Sequence, residues 1–155
     1  MSQVPPLNGR EERAWRALQF MQARLTGRLA RDLAANSDLS YSDYVVLVAL
    51  TDRADGRMRL FELGAVLGWE KSRLSHHVAR MAERGLVTKE RCGDDRRGAY
   101  VVVTKQGRQA IADAAPRHLE TVRQLFIDRL TPSQLETIGT AAEAVLAGLG
   151  EEEDG

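Results

Sequence analysis

The 155-residue sequence predicts a mainly α-helical fold with a small two- to three-stranded β wing. Three observations predict it. Apolar residues recur at steps of three and four along much of the chain, the spacing of helices that bury one face. The clearest β signal is short, Tyr100-Val-Val-Val103, rich in β-branched residues. Between Leu60 and Thr104, two short helical patterns meet across a glycine and lead into a polar hairpin centred on Asp94-Asp95-Arg96-Arg97-Gly98. Two short helices across a tight turn, followed by a two-stranded hairpin, make a winged helix-turn-helix. The remaining helices read as a frame that pairs two such modules. The expected layout is a single domain over 1–155, with the winged module at 39–104 and the helical dimerisation region at 10–36 and 105–149.

Composition sets the broad class. Apolar residues are 43% and charged residues 28% of the chain, ordinary values for a soluble globular protein. The longest strongly apolar run, Val45 to Leu50, is far shorter than the ~18 residues a membrane helix needs, so no membrane partner is expected. Met1 to Asn8 lacks the basic and apolar regions of a secretory signal. One cysteine excludes an intramolecular disulfide framework. A cytoplasmic location follows as the default.

Net charge is zero, but its distribution is uneven. Residues 57–105 carry 11 Lys/Arg against 6 Asp/Glu, a net +5, and the rest of the chain carries −5. The local field is what meets a phosphate backbone, because screening removes charges more than about 10 Å away.

Taken in order, residues 1–9, with Pro5, Pro6 and Gly9, read as a loose arm. A helix is expected from about residue 10 to 36, with Trp15, Leu18, Met21, Leu25, Leu29 and Leu33 as one buried stripe. Ser40, with Asp43 three residues on, caps a second helix that ends near Arg53. Residues 59–67 form a short helix stopped by Gly68. The next begins at Glu70 or Lys71 and runs to Arg84, with Gly85 at the left-handed position past its end. Its buried stripe is Leu74, Val78, Met81 and Ala82, and its other face carries Arg73, His76, His77, Arg80 and Arg84. Strands follow at 86–91 and 99–103. Thr104 caps a helix expected to reach Leu130, with a bend at Pro116. Thr131-Pro132-Ser133-Gln134 is a strong helix start. In that last helix Leu135, Ile138, Ala142, Val145 and Leu149 form a narrow seam suited to another helix. Glu151 to Asp154 read as a disordered acidic tail.

The polar face of the 71–84 helix suits DNA. The major groove admits one α-helix, and the N-terminal part of a recognition helix reaches the base edges. That part holds Lys71, Ser72, Arg73, Ser75, His76 and His77. Arg73 is the first choice for a base contact, because its planar fork matches guanine O6 and N7. Ser72, Ser75 and His76 are weaker candidates, while Lys71 and Arg80 suit phosphates. From the helix alone, a solvated amphipathic face explains the pattern equally well. The hairpin tips the balance, since Arg96 and Arg97 at its tip can enter a narrow minor groove. Asp95 beside them makes sense if its carboxylate holds an arginine in place. A plain polar turn is the competing reading.

Four stretches resemble the MarR family of bacterial transcription regulators: Leu60-Phe-Glu-Leu-Gly-Ala-Val-Leu-Gly68, Ser72-Arg-Leu-Ser-His-His-Val-Ala-Arg80, Met81-Ala-Glu-Arg-Gly-Leu-Val87, and Asp94-Asp-Arg-Arg-Gly98 leading to Val103-Thr104-Lys-Gln-Gly107. The resemblance spans about residues 10–148. Its most specific part is Asp-Arg-Arg, then a strand, then Thr-x-x-Gly. It implies a homodimer with intertwined first and last helices, on a pseudo-palindromic duplex site. It implies Asp95 and Arg97 as the wing pair. Repression, relieved by a small phenolic or other aromatic ligand, is the family's commoner mode. For such a ligand Trp15, Tyr41, Tyr44 and His118 are the candidate lining, although aromatics at helical spacing also serve as plain core.

The sequence departs from thiol-sensing members, which carry a cysteine near the start of the first helix. The lone thiol here is Cys92, between Arg91 and Gly93, where either an arginine-activated redox role or an inert thiol is open. His76 and His77 are adjacent and point about 100° apart on a helix, so no metal site is expected. No phosphate loop, nucleophile elbow or metal motif is present, so neither a cofactor nor catalysis is expected. The alternative to a DNA-binding regulator is a winged-helix module that binds protein.

Overall fold

Among the described residues, four of the six α-helices start at a short polar residue that caps a free N–H group. In the computed structural model, which describes residues 3–91 and 99–153, α1 spans Gly9–Asn36. The side chain of Asn8 accepts from the N–H groups of Arg10 and Glu11, and the Glu11 carboxylate accepts from the Asn8 N–H. Asn8, expected in a loose arm, is therefore the cap of α1. The helix α2 (Tyr41–Thr51) begins with the expected pair. Ser40 Oγ accepts from the Asp43 N–H at 3.0 Å, and Asp43 Oδ2 accepts from the Ser40 N–H at 2.9 Å.

A three-residue strand β1 (Arg57–Arg59) precedes α3 (Leu60–Leu67). Gly68 closes α3 in the left-handed conformation at φ 65°, and the Trp69 N–H donates to the Gly64 carbonyl at 3.0 Å. That hydrogen bond sets the turn into α4 (Lys71–Glu83). Gly85, at φ 77°, ends the α4 region as its position in the sequence predicts. The strands β2 (Val87–Arg91) and β3 (Ala99–Val103) pair antiparallel. β1 adds to the other edge of β3, giving the order β1-β3-β2. Its three residues are too short a run for an alternation pattern to show in sequence. Residues 92–98, which include Cys92, Asp95, Arg96 and Arg97, lie outside the described residues.

Thr104 joins the wing to α5 (Lys105–Leu125). Its hydroxyl accepts from the Gly107 N–H at 2.9 Å and donates to the Gly85 carbonyl at 2.6 Å. Gly107 is buried, and a Cβ there would collide with the Leu86 carbonyl. The Thr-x-x-Gly spacing thus caps a helix and lets a backbone carbonyl approach it. Pro116 lies inside α5. The helix ends at Leu125, before the expected Leu130, and a 3-10 turn covers Ile127–Arg129. The helix α6 (Pro132–Glu153) starts at the expected box: the Gln134 N–H donates to Thr131 Oγ1, and Gln134 Oε1 accepts from the Thr131 N–H. It continues through Glu153, where a disordered tail was expected; glutamate is a good helix former.

Residues 1–118 form one compact unit and residues 119–155 a second. The core of the first gathers Leu33 from α1, Val46, Leu47 and Leu50 from α2, Leu63 from α3, Leu74, Val78 and Met81 from α4, Val87 and Val101 from the sheet, and Ala114 from α5. The buried stripe expected on α1 holds only in its C-terminal half. Leu29 and Leu33 are buried, whereas Trp15 is 53% and Leu18 42% exposed in the single chain. On α6, Ile138, Val145, Leu146 and Leu149 are exposed as well. No helix among the described residues is long and apolar enough to cross a membrane.

Candidate nucleic-acid interface

Helix α4 sorts its residues by face. Leu74, Val78 and Met81 sink into the core, and the residues between them turn outward. Lys71, Ser72, Arg73, His76 and Arg80 are exposed and Ser75 is half-buried. Arg73, His76 and Arg80 lie at i, i+3 and i+7, so they share one stripe. Glu70, at the N-cap, makes no side-chain cap bond. The N–H groups of the first turn therefore keep the partial positive charge that favours an anion such as phosphate.

His77 faces another way. Its Nε2 lies 2.9 Å from Oδ1 of Asp43, a carboxylate only 1% exposed. The other oxygen of Asp43, Oδ2, accepts from Arg84 Nη1 at 2.7 Å, and Arg84 Nη2 donates to the Asp38 carbonyl at 2.6 Å. One buried carboxylate therefore caps α2, accepts a hydrogen bond from Arg84 at the C-terminal end of α4, and lies within ion-pair distance of His77 in its second turn, although neither Asp43 Oδ1 nor His77 Nε2 makes a well-aligned hydrogen bond among the described residues. Burial alone would raise the Asp43 carboxyl, but Arg84 and the Ser40 donors outweigh it and hold the group below its ordinary range. Burial lowers the His77 imidazole, helped by Arg80 and Arg73, against the pull of Asp43. Arg84, expected on the open polar face, is spent on this clamp.

Two arginines brace the base of the wing. Arg57 and Arg59 project from alternate positions of β1 onto the Tyr100 ring, 4.1 and 4.9 Å from its centroid. Arg59 is directly opposite Tyr100 in the register, and Arg57 also pairs with Glu90 at 3.7 Å. Cation–π contact of this kind ties β1 to β3.

A sequence profile of the MarR family matches residues 37–98. The fold is similar to AbsC, a MarR family transcriptional regulator from Streptomyces coelicolor, with 35% identity and a TM-score of 0.84 over 96% of this chain and 99% of that one. It is equally similar, at 34% identity and a TM-score of 0.84 over 93% of this chain and 94% of the other, to a second MarR family regulator of that organism solved in complex with DNA. The transcriptional regulator HosA of Escherichia coli is 29% identical over 124 residues, covering 80% of this chain and 87% of HosA.

The chain belongs to the MarR family of transcriptional regulators. In this MarR family member, the residues expected to line a ligand site separate into two groups. Tyr44 of α2 and His118 of α5 are both buried, with ring centroids 4.3 Å apart and planes tilted by 46°. Burial lowers the His118 imidazole, partly offset by Asp32 of α1, and raises the Tyr44 phenol. Among the described residues His118 Nδ1 has no hydrogen-bond partner. Tyr41 is half-buried against the core, and Trp15 stands exposed near the start of α1. Among the described residues no ring contact joins Trp15 or Tyr41 to the Tyr44–His118 pair.

Three residues that organise α4 are not singled out by the sequence alone. Asp43 was already accounted for as a capping residue, which hid its second role. Arg84 was indistinguishable from the other polar positions of its helix. Trp69 lies in the turn before α4, where helical periodicity assigns no face.

Proposed function

We propose that this chain is a sequence-specific double-stranded-DNA-binding repressor that acts as a homodimer on a pseudo-palindromic operator. The observation that carries the proposal is the α4 stripe of Arg73, His76 and Arg80, presented on a helix that a buried carboxylate holds in place. A relative of 34% identity solved in complex with DNA supports it. Arg73 reads a base, Ser72, Ser75 and His76 contribute at the groove floor, and Lys71 and Arg80 contact phosphates. His77 acts from behind the helix through Asp43. Asp95, Arg96 and Arg97, which lie outside the described residues, are assigned to the minor groove from the sequence and from the resemblance, which implies Asp95 and Arg97 as the wing pair.

The exposed apolar residues of α1 and α6, notably Trp15, Leu18, Val145 and Leu149, are the surfaces through which two copies join. Patches of this kind mark association surfaces. A small aromatic ligand relieves repression by binding beside Tyr44 and His118, where an unpartnered buried nitrogen offers it a hydrogen bond. It can do so only by preferring a dimer whose recognition helices are wrongly spaced for DNA.

Selection of bound sequences from a random duplex pool tests the proposal. The expected outcome is a pseudo-palindrome with half-sites about one duplex turn, ~34 Å, apart. On that site Arg97→Ala should lower the slope of log K against log salt by about one, whereas Arg73→Ala should relax one base position per half-site. Failure to bind any duplex after refolding would replace the proposal with a protein-interaction module.

A further inference from the structure

The guanidinium of Arg73 is already held before any duplex arrives. Its Cζ lies 4.2 Å from the centroid of the Trp69 ring. Among the described residues no ion pair or hydrogen bond occupies its N–H donors. A guanidinium held over an aromatic face is bound through its π surface, so the in-plane donors stay available. Those donors are what a guanine O6/N7 edge requires.

The indole is fixed in turn. The Trp69 backbone is locked by the hydrogen bond to Gly64, and its side chain packs against the core. The His77 ring meets it at 89° with centroids 5.6 Å apart, and His77 Nε2 lies 2.9 Å from the buried Asp43 carboxylate. A continuous series therefore runs from a buried carboxylate through an imidazole and an indole to the arginine at the start of α4.

We propose that Trp69 is a positioning residue for base recognition: its ring, held by the Asp43–His77 pair, presents Arg73 to the major groove in an ordered state. An unrestrained arginine loses much rotamer freedom when it binds a base, and a prearranged one loses less. Trp69 thereby sharpens discrimination at the base pair that Arg73 reads and leaves the phosphate contacts untouched. The inference rests on the reading of Arg73 as the base contact.

The test compares wild type, Trp69→Phe, Trp69→Leu, Arg73→Ala and the Trp69→Leu/Arg73→Ala double variant. Affinity is measured on the selected duplex, on each single-base variant of one half-site, and on a scrambled duplex. Trp69→Leu is expected to reduce discrimination at the base pair relaxed by Arg73→Ala by roughly three- to tenfold. It should leave scrambled-duplex affinity unchanged and add nothing in the Arg73→Ala background. Trp69→Phe, which keeps an aromatic face, should retain most of the discrimination. A loss of equal size on every duplex, or one that adds to that of Arg73→Ala, would overturn the proposal. Discrimination lost in Arg73→Ala but intact in Trp69→Leu would sink the positioning role alone. If Arg73→Ala discriminates like wild type, the base-contact reading falls and takes the proposal with it. Should Trp69→Leu melt below the assay temperature, Trp69→Met, an apolar side chain without an aromatic face, gives the same readout.

Discussion

At the scale of single residues, Asp43 decides most. A carboxylate this buried is tolerated because the Ser40 N–H, Arg84 and His77 surround it. Removing one side of a buried charged cluster leaves the rest uncompensated. Asp43→Ala should therefore destabilise the fold by about 3 kcal/mol, read as a shift in the urea midpoint at constant m. The pH dependence has a definite sign. His77 and His118 both titrate below their ordinary 6.5 in the folded chain, so between the folded value and 6.5 the unfolded chain binds more protons. Stability rises with pH through that window and is lost as pH falls below 6.5. Asp43, lowered from 3.8, adds a further loss at more acidic pH. Urea midpoints measured from pH 7.5 to 5 should decline, and His77→Gln should flatten the decline. A midpoint that rises on acidification would mean that the His77–Asp43 attraction outweighs burial.

At the scale of elements, the junction between wing and α5 is the least forgiving. The Thr104 hydroxyl both caps α5 and holds the Gly85 carbonyl, and Gly107 admits the Leu86 carbonyl where any Cβ would collide. In an exposed helix interior, Gly→Ala is stabilising by up to about 1 kcal/mol. Here the sign reverses, and Gly107→Ala should cost about 1–3 kcal/mol through overpacking. Thermal melts would show it, with Gly139→Ala, where a Cβ meets nothing within 4 Å, as the comparison that gains stability.

For the whole molecule, the question is what covers the exposed apolar residues. A single chain leaves Trp15 at 53%, Phe20 at 68%, Val145 at 63% and Leu146 at 65% exposed, on the two helices assigned to dimerisation. Coverage by a second copy predicts that Val145→Asp with Leu146→Asp shifts the protein to monomer in sedimentation. The same variant should lose operator binding, because a monomer presents one recognition helix and can hold only one half-site at a time. A dimer that survives the double substitution would place the interface elsewhere.

The sequence by itself determined the order of the elements. Ser40 with Asp43, Thr131 with Gln134, and Gly68 and Gly85 at helix ends act through neighbours a few residues away, so local pattern reveals them. It also marked α4 as the helix with a basic outer face, because a 3.6-residue period separates Leu74, Val78 and Met81 from Arg73, His76 and Arg80. Tertiary structure decided which polar residues are withdrawn from that face. His77 and Arg84 meet Asp43 across 34 and 41 residues, whereas Trp69 meets Arg73 four residues on, across the start of α4. Helical periodicity says which way a side chain leaves its helix. It carries no information about the buried charge waiting on a different element, and that pairing separates a clamp residue from one left on the outer face.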